Sequence, residues 1–250
     1  MKKILITGSK SGLGKFLAKE LNTNNNKLFL LNRKNYKIIK KQFYDFIIHC
    51  AGKRPIYSEN NEVYNYYKDN IKLTEKIVEL KYKKIVFFST VEVYGNTLEI
   101  KKENKKININ NLKGIYPLTK LISENIISEK SKNFLILRVP TLIGETMKRT
   151  SISKILKRKT DFIPYSKKSS FNLIDYKTIH RIIDYWLKND LRGIFNVASK
   201  KNVKISDLSK GINSFGNNNY NVGNISINKI KKVNKSFVEN SIDVMRRHSI

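Results

Sequence analysis

One cysteine, Cys50, is all that this 250-residue chain carries. No disulfide can form within it, which fits a reducing compartment. No second cysteine or histidine stands at metal-ligand spacing from the neighbouring His49–Cys50 pair, so no metal site is expected. Acidic residues are also scarce, with 20 Asp and Glu against 50 Lys and Arg, a formal net charge of +30. Long apolar runs are missing as well. None approaches the length of a membrane span, and "MKKILITGSK" offers only a four-residue apolar stretch before Gly8, too short for a signal peptide. A cytoplasmic protein is expected.

The basic excess is spread over "KIIKKQ", "KYKKI", "EIKKENKKI", "ILKRK" and "INKIKKVNK" rather than gathered into one arm. Aromatics interleave with it only loosely and no RNA-module pattern is present. It reads as a bias of composition, with no specific nucleic-acid partner. A hydrophobic content of 40% and an aromatic content of 10% describe a folded globular chain.

Apolar, β-branched runs alternate with helical patterns along the chain. "KKILITG", "LFLLN", "FIIHCAG", "KIVFFST", "NFLILRVPTLIG" and "GIFNVAS" read as strands. "LGKFLAKELN", "NYYKDNIKLTEKIVEL", "YPLTKLISENIISE" and "TIHRIIDYWLKN" read as helices. This alternation predicts an α/β fold, a Rossmann-like doubly wound parallel sheet with a small C-terminal substrate-binding portion. Residues 1–140 form the dinucleotide-binding unit in this reading and 141–250 the substrate portion, with 171–200 returning to the first unit. The Asn/Gly-rich stretch after residue 211 is weakly periodic.

"TGSKSGLG", Thr7 to Gly14, falls between the first strand and first helix. A glycine-rich turn there lets backbone amides and the helix N-terminus approach a pyrophosphate. Gly8 allows the turn, Gly12 close approach and Gly14 helix–strand packing, with Ser9, Lys10, Ser11 and Leu13 beside them. After the second strand come Asn32, Arg33 and Lys34, where an acidic residue would select NAD; basic residues lean toward the 2′-phosphate of NADP, with NAD left open. Tyr116 and Lys120 stand four apart and share a helix face. An ammonium one turn away favours phenolate and draws a tyrosine toward proton-transfer chemistry.

These motifs, with "HCAGK", "FFSTVEVYG", "LRVPTLIG", "FNLIDYKTIHRII" and "GIFNVAS", resemble the short-chain dehydrogenase/reductase superfamily. The likeness is strongest to its extended branch of NAD-dependent, nucleotide-sugar-modifying epimerases, dehydratases and reductases. The resemblance implies Thr90, Tyr116, Lys120 and Asn70 as the catalytic set. Tyr116 would exchange a proton, Lys120 would hold the nicotinamide ribose, Thr90 would bind the substrate oxygen, and Asn70 would maintain a proton relay. Cys50, Ala51, Gly52, Ser89 and Val139 would border the cofactor with Asn70, Tyr116 and Lys120. Val91, Glu92 and Asn172 would meet the substrate alongside Thr90 and Tyr116. It implies NAD(P)-dependent chemistry on a nucleotide sugar for cell-surface polysaccharides, as a 4-keto reductase or epimerase, in a homodimer pairing helices 62–80 and 116–130.

Two departures stand out. The acidic pair that the branch's dehydratases carry after the threonine is reduced to Glu92, which disfavours dehydration. Only about a dozen residues separate the second strand from "FIIHCAG", so the adenine side is abbreviated. Asp175 is a further candidate for the sugar pocket, and Lys148, Arg149, Lys167 and Lys168 for a diphosphate, while His180 and Trp186 read as packing. Two other readings stay open: a small-molecule carbonyl reductase, suggested by the TGxxxGxG spacing, and a basic, non-catalytic RNA-binding relative.

Overall fold

A computed structural model gives the architecture and describes residues 1–54, 63–148, 150–157, 159–208, 212 and 214–249. Six parallel strands form the central sheet: β1 (Lys2–Thr7), β2 (Asn26–Leu31), β3 (Phe43–His49), β4 (Lys81–Thr90), β5 (Phe134–Val139) and, later in the chain, Gly193–Asn196. Their spatial order runs from Gly193–Asn196 through β5, β4, β3 and β1 to β2. The chain goes one way from β1 to β2 and then crosses back, so the topological switch lies between β1 and β3. Ligands of open α/β sheets bind outside the carboxyl ends of the strands at such a point. The expected Rossmann-like sheet is present.

Alternating side chains build the two faces. Ile4, Ile6, Ile48, Val86, Leu135 and Leu137 pack with helices Gly12–Glu20 and Tyr176–Trp186. Leu5, Ile47, Ile85, Phe87 and Ile136 face helices Leu73–Val78 and Ile115–Lys130, through Ile77 and Ile127. Burial on both sides explains why the strands read as continuous apolar runs. Trp186, 1% exposed, lies edge-on to Phe46 with ring centroids 5.1 Å apart.

The run "NFLILRVPTLIG" does not form one strand. Pro140 supplies no amide hydrogen, and beyond it β6 (Thr141–Ile143) leaves the sheet to pair with β9 (Leu173–Asp175). Two further pairs, β7 (Phe162–Tyr165) with β12 (Ser214–Asn218) and β8 (Ser170–Phe171) with β11 (Val203–Lys204), complete the C-terminal portion. The central-sheet strand Gly193–Asn196 is β10. A separate apolar cluster including Ile143, Ile155, Ile163, Phe171, Leu173, Val203 and Val244 holds these pieces. Over residues 214–249 the Asn/Gly-rich tail is thus ordered. Lys101 bridges to Ile225, its amide donating to Asn224 O at 2.8 Å. Among the described residues no helix is long and apolar enough to cross a membrane.

Trp186→Ala should lower stability by about 3–5 kcal/mol, the range for truncating a buried aromatic. Urea titration checks it, and a loss below about 1 kcal/mol would mean that this core collapses around the gap.

Candidate active site

The glycine turn sits at the carboxyl end of β1. Gly8 has φ +71°, and a Cβ there would stand 2.9 Å from Ala51 N, so the turn lies flush against the chain leaving β3. At Gly14 a Cβ would come within 2.5 Å of Gly8 O, which is the close helix–strand contact expected. Gly12, at φ +59°, has only the Tyr176 hydroxyl at 3.6 Å. Its amide donates to Thr146 O at 2.9 Å, and the Thr146 hydroxyl donates back to Gly12 O at 2.7 Å. Sequence reasoning missed both Thr146 and Tyr176, since nothing local marks a contact spanning 134 residues. Ser11 caps the helix without a side-chain hydrogen bond. Lys10 is exposed, Ser9 is half-buried and Leu13 joins the core.

Across the switch, His49 is buried between two threonines. The Thr74 hydroxyl donates its single hydrogen to Asn70 O at 2.6 Å, so it must accept from His49 Nε2, 3.1 Å away. Nδ1 is then bare and accepts from the Thr7 hydroxyl at 2.8 Å, whose oxygen in turn takes the Ala51 amide at 2.9 Å. One neutral tautomer satisfies every group. Burial, aided by the nearby charge of Lys120, lowers His49 to about 3.

Asn70 lies in the single π-helical stretch Tyr67–Lys72 of its helix. Its amide oxygen accepts the Lys53 amide at 2.7 Å, and its nitrogen donates to Thr119 at 2.9 Å and Lys53 O at 3.3 Å. Its backbone carbonyl accepts the Thr74 hydroxyl at 2.6 Å, while the Ser123 hydroxyl nearby is closer to Thr119 O, at 2.8 Å, than to Asn70 O, at 3.3 Å. Asn70 therefore fastens the 50–53 loop to helix Ile115–Lys130.

Lys120 is 7% exposed, with its ammonium 4.1 Å from the centroid of the Phe87 ring. A Cβ on Gly52 would lie 3.9 Å from Nζ, so the loop after β3 closes over the lysine. Burial draws Lys120 down to about 8, opposed mainly by the charge of Glu124. Tyr116, one turn earlier, is half-buried, its ring 6.4 Å from that of Tyr66. Thr90 ends β4, paired in register with Val139; its oxygen accepts the Glu92 amide at 3.2 Å. Ser89 beside it is buried, and its hydroxyl has no hydrogen-bond partner among the described residues.

The remaining candidates have surroundings of their own. Val91 is packed with Val93, Tyr94 and Val222. Burial raises the Glu92 carboxyl, with Lys101 opposing it, while Lys101 donates to Val222 O at 2.9 Å. Asn172 is buried, its amide hydrogens going to Ser199 O and Asn202 Oδ1, which makes it a clamp between loops. Asp175 accepts from the Lys177 amide, Arg247 Nε and His248 Nε2, and so anchors the C-terminal helix Ser241–His248. Asn32 accepts the Lys34 amide at 2.8 Å, shaping an exposed turn that presents Arg33 and Lys34. Cys50 is half-buried, and burial pushes its thiol far up. Lys148, Lys167 and Lys168 are exposed; Arg149 lies outside the described residues. No cluster of metal-ligating side chains exists among the described residues.

A glycine turn at the switch point, packed against the loop that covers a buried lysine, is the arrangement on which comparison with known proteins bears. The sequence profile of the NAD-dependent epimerase/dehydratase family matches residues 4–198. The chain belongs to the NAD-dependent epimerase/dehydratase family. Among solved structures, this family member is similar to a dTDP-4-dehydrorhamnose reductase from Bacillus anthracis, in complex with NADP. The two are 17% identical over 99% of this chain and 98% of that one, with a TM-score of 0.82. It is also similar to the UDP-glucuronic acid 4-epimerase from Bacillus cereus, in complex with UDP-glucuronic acid and NAD. There the identity is 20% over 98% and 97%, with a TM-score of 0.80. Curated protein sequences yield no match.

His49 makes stability depend on pH. The unfolded chain binds a proton at His49 near 6.5 whereas the folded chain resists until about 3. Stability should therefore fall as pH drops through that window, by about 1.4 kcal/mol per unit from this group. Urea unfolding of wild type and His49→Gln at several pH values isolates it; identical slopes would refute the buried neutral imidazole.

Proposed function

We propose that this chain is an NAD(P)-dependent oxidoreductase or epimerase acting on a nucleotide-activated sugar. The reaction is reduction of a 4-keto group, or epimerisation at that carbon, in the supply of sugars for cell-surface polysaccharides. The observation that carries this reading is Lys120, a buried ammonium one helical turn from Tyr116, enclosed by the loop that leaves the switch-point strand.

The residues at the switch point fit a dinucleotide. Gly8 and Gly14 stand where a Cβ would strike backbone, the Leu13 and Gly14 amides face a serine that does not cap them while the Gly12 amide is taken by Thr146 O, and the Ser89 hydroxyl is orphaned in the interior. Gly8, Ser9, Lys10, Ser11, Gly12 and Leu13 would hold the pyrophosphate; Cys50, Ala51, Gly52, Ser89 and Val139 would border the nicotinamide half. A bound nicotinamide would donate or accept the hydride. Tyr116 gives its phenolic proton to the sugar's ketone oxygen, or takes one from the alcohol in the reverse direction. Lys120 stabilises the phenolate that results. Thr90 spends its oxygen on the Glu92 amide, so its hydroxyl hydrogen is left to donate to the same substrate oxygen. Glu92 is a further substrate contact, and Arg33 and Lys34 favour the 2′-phosphate of NADP. A second copy of the chain would cover the exposed Val63, Tyr64 and Tyr67. Membership of the family weighs against a small-molecule carbonyl reductase, and the set Thr90, Tyr116 and Lys120 against a purely RNA-binding role.

Tyr116→Phe should reduce turnover at least about a hundredfold, the scale of a general acid, with nucleotide binding retained. The assay is cofactor absorbance with a panel of nucleotide 4-ketosugars; unchanged turnover removes the assignment. Stoichiometric consumption of cofactor identifies a reductase, catalytic use an epimerase. Replacing Arg33 and Lys34 together by Ala should weaken NADPH binding far more than NADH binding, measured by fluorescence titration. Equal losses would overturn the NADP preference.

A further inference from the structure

Behind Lys120 lies a second layer of buried charge. Glu124 follows it by one turn of helix Ile115–Lys130 and so shares its face. The Glu124 carboxylate is held by Arg138 of β5 through a bifurcated Nε–H, 3.1 and 3.2 Å from its two oxygens, and through Nη2 at 2.6 Å. Both side chains are almost wholly enclosed, 2% and 4% exposed. On its far side the Arg138 guanidinium lies 4.8 Å from the centroid of the Tyr94 ring, and Nη1 has no hydrogen-bond acceptor among the described residues. The Tyr94 hydroxyl donates to Asn196 Oδ1 at 2.7 Å. Asn196 then donates to the carbonyls of Lys101 and Ser226, which carries the contact chain into the tail.

A buried ion pair of this kind adds little stability over apolar residues of similar volume. Its placement supplies another role. Among the described residues, the groups facing Lys120 are His49, neutral, at the end of β3, and Cys50 just after it, a thiol that burial keeps uncharged. From β4 comes the Phe87 ring, from the loop and the π-helical turn Gly52 and the Asn70 amide, and from its own helix Tyr116 and Glu124. Glu124 is the anion in this set. Its position is fixed because Arg138 grips both of its oxygens.

We infer that Glu124, held by Arg138, is a positioning residue that keeps Lys120 charged inside a water-poor site and so maintains a cation beside Tyr116. The consequence for turnover rests on the functional reading above, but the ionisation of Lys120 can be followed without any substrate.

The experiment is a pH titration of Lys120 by NMR in lysine-labelled protein, the resonance being assigned from its loss in Lys120→Met. Wild type, Glu124→Gln and the double variant Glu124→Gln/Arg138→Met are compared. The double variant leaves no orphaned guanidinium, so it remains informative if the single variant does not fold. In Glu124→Gln the midpoint should fall by about one unit or more, as removing a close opposite charge does. In the double variant it should fall in the same direction by less, because the opposing charge of Arg138 leaves too. The alkaline limb of the turnover profile should move to lower pH in step. A midpoint that does not fall in the folded variants would overturn the inference and reduce the pair to packing. A midpoint that falls, in a protein whose wild type turns over no 4-ketosugar, would uphold the positioning role and sink the functional reading instead.

Discussion

Everything at the carboxyl edge of the sheet is arranged around the cost of enclosing one cation. An ammonium removed from water must be met by fixed charges, aromatic faces or dipoles, or it loses its proton. Around Lys120 the fold supplies a Phe87 face, a carboxylate one turn away and a loop sealed by Asn70. His49 meets the same cation from the other side and stays neutral. Its two ring nitrogens are committed to Thr7 and Thr74, so the imidazole also staples β1 to the helix that carries Asn70. The same few side chains thus shape the turn at Gly8, close the loop over the lysine and fix the local electrostatics.

The C-terminal portion is integrated with this edge rather than appended to it. Thr146 clasps Gly12 on both its amide and its carbonyl, and Asn196 joins Tyr94, Lys101 and Ser226. Asp175 and Glu239, both bonded to Arg247, hold the last helix in place. Polar side chains in such networks specify one arrangement because each alternative leaves a donor or acceptor unpaired indoors. Asn172 belongs to this group, which explains why its chemistry looked available from the sequence while its geometry is spent on Ser199 and Asn202.

Much of the fold was legible because its determinants are local. Strands buried on both faces are continuous apolar runs, the glycine turn announces its own backbone demand, and a Tyr–Lys spacing of four fixes a common helix face. The rest depends on contacts far apart in the chain. Nothing near Thr146 marks it as a partner of Gly12, and nothing in "NFLILRVPTLIG" except Pro140 shows where the strand changes sheets. The tail looked featureless for a related reason. Its asparagines and glycines contribute little periodicity, and its order comes from strand pairing with Phe162–Tyr165, main-chain bonding to Lys101 and the packing of Val244. Glu124 carries no mark of its role in the sequence, because its partner Arg138 lies on the neighbouring strand.

The abbreviated link between β2 and β3 leaves β2 paired only with β1, at the rim of the sheet. A strand in that position offers unsatisfied main-chain groups as a template for another molecule. The opposite rim is partly blocked, since the Lys229 ammonium takes Ile194 O at 2.7 Å. At β2 the exposed Lys27 and the formal charge of +30 oppose edge-to-edge pairing at that rim. That protection reaches only about 8 Å at physiological ionic strength and shrinks as salt is added. The basic excess that reads as a bias of composition thus also opposes pairing at this rim, with no anionic ligand involved.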